Sequence, residues 1–249
     1  MSKKDGLDVV LSNQNLTASD WEGLVEILDV DYNYQQIKYD DNKLCEFFNQ
    51  EIRHLYGHTI ANIFRDCYEP DYIEVLKGCA EKLKITIKEH NSEEEIENKI
   101  IIEVIEIAKE KIIKEKGIEA WKQIEKEVEA EINKLIDEGK IPAEVAENLK
   151  QLRGPAMIAA IVGGRLAGFA LYIVANQIFF ALARFLGLRI GVAVAGPIIG
   201  KTLAFLLGPA GWLLAGLLVV FDLGNTNWKK VIPAVVLIAT YRKKILYLN

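Results

Sequence analysis

The chain has 249 residues, a net charge of −5, 51% hydrophobic residues and 26% charged residues. Residues 1–153 hold 21 basic and 34 acidic side chains, a net −13, whereas 154–249 hold nine basic and one acidic, a net +8. Charged residues fall from 36% to 10% between the two parts, against about a quarter in ordinary globular domains. One homogeneous soluble domain is therefore excluded, and so is wholesale disorder.

Met1-Ser2-Lys3-Lys4-Asp5 is a basic start with no apolar stretch behind it, so a signal peptide is not expected. Cys45, Cys67 and Cys79 form an odd set without a CxxC pair, which fits reduced thiols in a cytoplasm better than disulfides.

The acidic part reads as successive amphipathic helices. Ser19 and Glu22 have capping-box spacing, ahead of Trp21, Leu24, Val25 and Leu28 on one face. A second helix is expected from Asp41, with Leu44, Phe47, Phe48, Ile52 and Leu55 inward, and Pro70-Asp71 opens a third with Ile73, Leu76, Cys79 and Leu83 inward. The stretch 84–88 alternates like a short strand. Ser92 and Glu95 repeat the capping box before Ile96, Ile100, Val104 and Ile107. After Gly117, the residues Trp121, Ile124, Val128, Ile132 and Leu135 recur at spacings of three and four. Gly139 ends that helix, and Pro142 suits the first turn of another up to Arg153. The Glu/Lys density between Glu93 and Lys150 reads as a solvated helix face or, failing that, a surface for a partner helix.

Glu51, His54 and His58 lie at i, i+3 and i+7, a spacing that suggests a metal, but no second Glu-x-x-His completes a bundle site. No phosphate loop, nucleophile elbow or kinase signature occurs. The expectation is a non-enzymatic protein with no cofactor, no metal and no nucleic-acid partner.

Residues 154–249 contain 12 of the 18 glycines and four of the six prolines. Small residues recur every four positions at Ala156, Ala160, Gly164 and Gly168. They do so again at Gly187, Gly191 and Ala195, and at Gly196, Gly200, Ala204 and Gly208. Such rows let helix backbones approach closely, which membranes favour. Charge-free stretches run over 166–183 and 202–221, 18 and 20 residues, near the roughly 20 that a spanning helix needs. Gly208-Pro209 interrupts the second, so hairpins entering one leaflet and a buried soluble core fit as well as two spans.

Three stretches carry a resemblance. Leu7-Asp8-Val9-Val10-Leu11 with Leu16 to Trp21, then Glu51 to Arg65, then Lys230 to Lys244 resemble the YaaW-like family of bacterial proteins, grouped with the ubiquinol–cytochrome c chaperones. The resemblance implies a helical architecture and a chaperone association, with no activity to carry over. In the central motif, Gly57 is expected to end one helix and Thr59 to cap the next. Asn62 and Arg65 then share a side, as a tight corner or as a partner-binding spot.

The reading is an all-α protein with an amphipathic N-terminal domain and a glycine-rich apolar C-terminal domain of helical hairpins. It divides into a short module over 1–40, an acidic helical domain over 41–153 and the apolar domain over 154–249. The apolar part is expected to dock on or enter a phospholipid membrane at its cytoplasmic face, the acidic part to meet a protein partner or a second copy. Lys229, Lys230, Arg242, Lys243 and Lys244 supply attraction to lipid or a partner. A soluble chaperone-like scaffold with a buried glycine-rich core is the alternative, and a pore built from packed glycine rows is a further one.

Overall fold

Ten α-helices and no strand make up the regular structure among the described residues, 4–61, 70–152, 160, 168–185 and 227–248 of a computed structural model. The all-α expectation holds there. The chain forms two compact units, Met1–Ile101 with Asp222–Asn249, and Ile102–Phe221. This division differs from one drawn by charge alone, because the last helix belongs with the N-terminal residues.

In the first unit, α1 (Gly6–Leu11) starts on a capping box. The Asp5 carboxylate accepts from the amides of Leu7 and Asp8 at 3.1 and 3.2 Å, and Asp8 accepts from the Asp5 amide at 2.9 Å. Helix α2 (Ala18–Leu28) begins two residues earlier than the Ser19–Glu22 spacing suggests. Its box is Thr17 with Asp20, and Asp20 accepts from the Thr17 amide and hydroxyl at 2.7 Å each. It ends at Asp29, in the left-handed region with φ 58°.

A short helix that the hydrophobic period does not announce, α3 (Asp31–Ile37), leads to α4 (Asp41–Ala61). Leu44, Phe48 and Ile52 of α4 are buried, and the Phe48 ring stacks on Trp21 with centroids 5.5 Å apart. Gly57 does not end this helix, which continues through it to Ala61. A glycine in a helix interior costs only about 1 kcal/mol, and Gly57 is buried in the packed unit, so tertiary contacts override the local preference. Helix α5 (Tyr72–Lys82) opens on Asp71 as expected, and Val75, Leu76, Cys79 and Ala80 are wholly buried.

Helix α6 (Glu93–Lys116) starts on the expected box. Ser92 donates its amide to Glu95 at 2.8 Å, and the Glu95 amide donates to the Ser92 hydroxyl at 3.2 Å. The unit boundary falls within α6, at Ile101. The stretch before it, 85–88, is irregular rather than strand.

The core of the first unit is α10 (Trp228–Leu248). Every residue from Val231 to Tyr241 is buried, and α1, α2, α4 and α5 pack around it. A helix that is apolar all round must be surrounded by protein or lipid, and here protein surrounds it. Each fully buried Val, Leu or Ile contributes roughly 1.5–3 kcal/mol. Val231, Ile232, Val235, Val236, Leu237 and Ile238 together therefore contribute about 9–18 kcal/mol, as large as the roughly 5–15 kcal/mol by which a domain is stable. The first unit depends on α10.

The second unit contains α7 (Ile118–Asp137), α8 (Ala143–Gln151) and α9 (Gly168–Phe185). The α7 stripe is as the spacing predicts, with Trp121, Ile124, Val128, Ile132 and Leu135 all buried. Gly117 (φ 86°) and Gly139 (φ 66°) bound it in conformations that other residues seldom adopt. Helix α9 packs on α7 and α8, with Leu171 to Ala175, Gln177 to Phe179, Ala181 and Leu182 buried. No helix among the described residues is long and apolar enough to cross a membrane. The 18 residues of α9 reach about 27 Å, short of a hydrocarbon layer of about 30 Å.

Candidate functional site

The first unit encloses a chain of charged side chains that runs from α1 to the end of α10. At one end Arg53 of α4, 8% exposed, donates to Asp5 at 2.7 Å, to Asn49 at 2.6 Å and to the Pro70 carbonyl at 2.5 Å. Asp5 also accepts from the Tyr72 amide at 2.8 Å, and Asn49 donates to Asp8 at 2.7 Å. One carboxylate thus joins α1, α4 and α5. Burial alone would raise the Asp5 carboxyl, but the Tyr72 amide and the Arg53 guanidinium together hold it below its usual value.

At the other end Arg242 of α10 meets α6. Its Nε lies 2.9 and 3.1 Å from the two oxygens of Glu97, and its Nη2 lies 3.0 Å from Glu97 and 3.1 Å from Glu93. Glu97 is wholly buried and also accepts from the Tyr72 hydroxyl at 3.0 Å. Burial pushes the Glu97 carboxyl up despite the Arg242 charge. Burial and the Glu97 charge push the Tyr72 hydroxyl up.

Burial works against the Arg242 charge as well, but Glu97 more than offsets it and raises the guanidinium value. Lys243 reaches Glu94 at 3.4 Å, and burial lowers its ammonium value more than that partner restores it. Lys244 and Asp20, each 1% exposed, pair at 2.7 Å, and the Tyr241 hydroxyl donates to the Asp20 carbonyl at 2.5 Å. Lys230 donates to the Leu28 carbonyl at 2.7 Å, at the carbonyl end of α2 where a cation is favoured.

Four of the five cations expected to face lipid or a partner are therefore engaged inside the chain. Lys229 is half-buried. Of the small-residue rows, Gly168 opens α9 with φ 57°. Gly164, Gly187, Gly191, Gly196, Gly200, Ala204 and Gly208 lie outside the described residues, as do Asn62 and Arg65 of the central motif. Glu51 is half-buried, His54 is exposed, and no metal-holding group of His, Cys, Asp or Glu comes together among the described residues. Neither described thiol is activated. Burial pushes Cys79 far up, and burial with the Asp8 charge raises Cys45.

Sequence reasoning missed the pairing of Asp5, Asp20, Glu93 and Glu97 with cations of α4 and α10. A signal was present in the first part's surplus of acid and the base-rich end of α10, but pattern alone does not say which acid meets which base.

Beside the Asp5–Arg53 end lies an open cleft of about 620 Å³. The α4 residues Asp41, Cys45, Glu46 and Asn49 face the loop after α1 across it, and Trp21 and Leu16 add apolar surface. Its walls offer carboxylates and carboxamides and share Asp8 and Asn49 with the network.

With this arrangement described, the comparisons with known proteins become informative. The chain is 28% identical over 216 residues to a UPF0174 protein of Helicobacter pylori strain 26695, covering 85% of this chain and 94% of the relative. A UPF0174 protein from strain J99 of that bacterium matches to the same extent, and another from that strain is 25% identical over 207 residues, 82% of this chain and 73% of its own. Its relatives are bacterial UPF0174 proteins. No family model matches the chain, and no solved structure matches it. Both matches at 28% run nearly the whole length of those relatives, so the likeness to UPF0174 proteins extends well beyond one helix or motif.

Proposed function

We propose that the protein is a non-catalytic helical protein that docks on the cytoplasmic face of a membrane through residues 186–226, while its first unit binds a protein partner. The observation that supports this is how the flanking helices are held. Helix α9 is packed on α7 and α8, and α10 is buried in the first unit with Lys230, Arg242, Lys243 and Lys244 engaged by first-unit groups. The segment between them has three charged residues in 41 and eight glycines, so its composition supplies apolar surface that calls for lipid or protein cover. Both flanks are tied into protein, which suits a hairpin with an even number of crossings or a segment lying in one leaflet. Packed glycine rows from several copies would extend this to a pore.

A second reading draws on the tail. Arg242, Lys243 and Lys244 are neutralised within the chain, as expected of a soluble chaperone-like scaffold in which oppositely charged parts bury each other. The resemblance to YaaW-like proteins and their chaperone grouping favours the same alternative.

Cell fractionation separates the two. The comparison is between the full chain and a variant with 186–226 replaced by a polar linker of equal length. The membrane reading expects the full chain to pellet and to leave the pellet only in detergent, with the variant in the supernatant. A full chain that is soluble and monodisperse without detergent leaves the scaffold reading standing alone. Release by salt alone would mean that surface charge, rather than 186–226, holds the protein to lipid.

A further inference from the structure

We infer that the first unit is a receptor for a helix, and that its resident ligand is the chain's own α10, held there without the covalent connection through 186–226. The groove comes from sequence-distant pieces: α1, α2, α4 and α5 pack on α10, and the first turns of α6 supply carboxylates to its last turns.

Apolar burial gives the groove its grip, and the ring of Trp228 meets Tyr56 edge-on at 6.0 Å where α10 begins. Grip of this kind does not fix register, since Val, Leu and Ile interchange readily. Register comes from polar readout at separate points. Lys230 meets the Leu28 carbonyl, Tyr241 meets the Asp20 carbonyl, and Arg242 meets Glu93 and Glu97. Lys243 meets Glu94, and Lys244 meets Asp20.

A slip of one residue turns a helix by about 100°. Lys244 would leave Asp20, and two side chains each 1% exposed would lose their ion pair, with Asp20 keeping only its bonds from Thr17. Breaking a buried pair is far more costly than removing both members. The ligand the groove reads is thus an apolar helix with Arg-Lys-Lys before its end. The occupant is assigned in cis, because α10 packs on α1, α2, α4 and α5 of its own chain and a covalent tether makes that binding intramolecular.

The test keeps the whole chain. A polar protease site is inserted between Gly224 and Asn225 in protein tagged at both ends, and the purified protein is cleaved to completion. The piece carrying α10 is expected to co-elute with the remainder in gel filtration and to separate only in denaturant. Lys244→Met leaves the Asp20 carboxylate buried without its cation and should weaken retention on the order of a hundredfold. Combining it with Asp20→Asn should restore most of that loss. Free elution of the wild-type piece would overturn the inference, and so would a double variant retained no better than the single one. Dimers that exchange tags before cleavage would overturn the cis assignment and make a second copy's α10 the occupant.

Discussion

Asp5 sits outside any helix interior, yet three helices depend on its carboxylate, through the amides of Leu7 and Asp8, the Arg53 guanidinium and the Tyr72 amide. Its folded-state value lies below the usual 3.8, so the unfolded chain takes up the proton more readily than the folded one. The stabilisation is present above pH 3.8 and is lost as pH falls through the lower folded-state value. Glu97 has the opposite sign. Its folded-state value is raised above 4.5, so its ionisation removes some stability as pH rises through that range. Asp5→Asn should therefore lower stability at neutral pH by about 1–3 kcal/mol and flatten the acid limb below pH 4. Urea melts of both proteins between pH 3 and 7 check this, and parallel acid limbs would remove Asp5 from the account.

The helices show which features a sequence displays openly. The α7 stripe was legible because five apolar residues at three- and four-residue spacing have one buried solution, and all five are buried. The start of α6 was legible because Ser92 and Glu95 satisfy each other locally. Gly57 misled because its helix-ending tendency is weaker than the packing around α4. Helix α3 was hidden because Asp31–Ile37 is too short to show a period, with only Tyr34 buried.

The place of α10 was hidden for another reason. Its composition calls for an apolar environment on all sides, and composition does not distinguish lipid from a groove 130 residues or more upstream.

Contacts between helices can be as exacting as those within them. The Tyr56 ring of α4 lies against Gly78 of α5, and an added Cβ there would overlap its atoms. An aromatic ring packed in a core yields less than a flexible chain end. Gly78→Ala gains helix propensity of about 1 kcal/mol but should lose about 1–3 kcal/mol to overpacking. The expected net is a lower melting temperature, and restoration on shortening the ring with Tyr56→Leu would locate the clash. A melting temperature raised by Gly78→Ala alone would show that α4 and α5 separate easily.

At the scale of the whole molecule, the surplus of acid in 1–153 and of base in 154–249 is partly an internal match. Arg242, Lys243 and Lys244 face Glu93, Glu97, Glu94 and Asp20, and the pairs with Glu97 and Asp20 are shielded from salt by burial. On the inference that α10 is held by the groove itself, the first unit should need 186–226 only as a connection, since its ligand helix begins at Trp228. Replacing that segment by a polar linker of equal length changes loop closure little, since even a doubled length costs only about 0.6 kcal/mol. The variant should keep the helical circular dichroism of 1–101 with 227–249 and a cooperative thermal transition at the parent temperature, within a few degrees. It should also be insensitive to moderate salt, as buried pairs are. A variant that aggregates or melts broadly would mean that 186–226 forms part of the folded core, and the buried-core scaffold would replace the membrane-docking segment as the reading of that part.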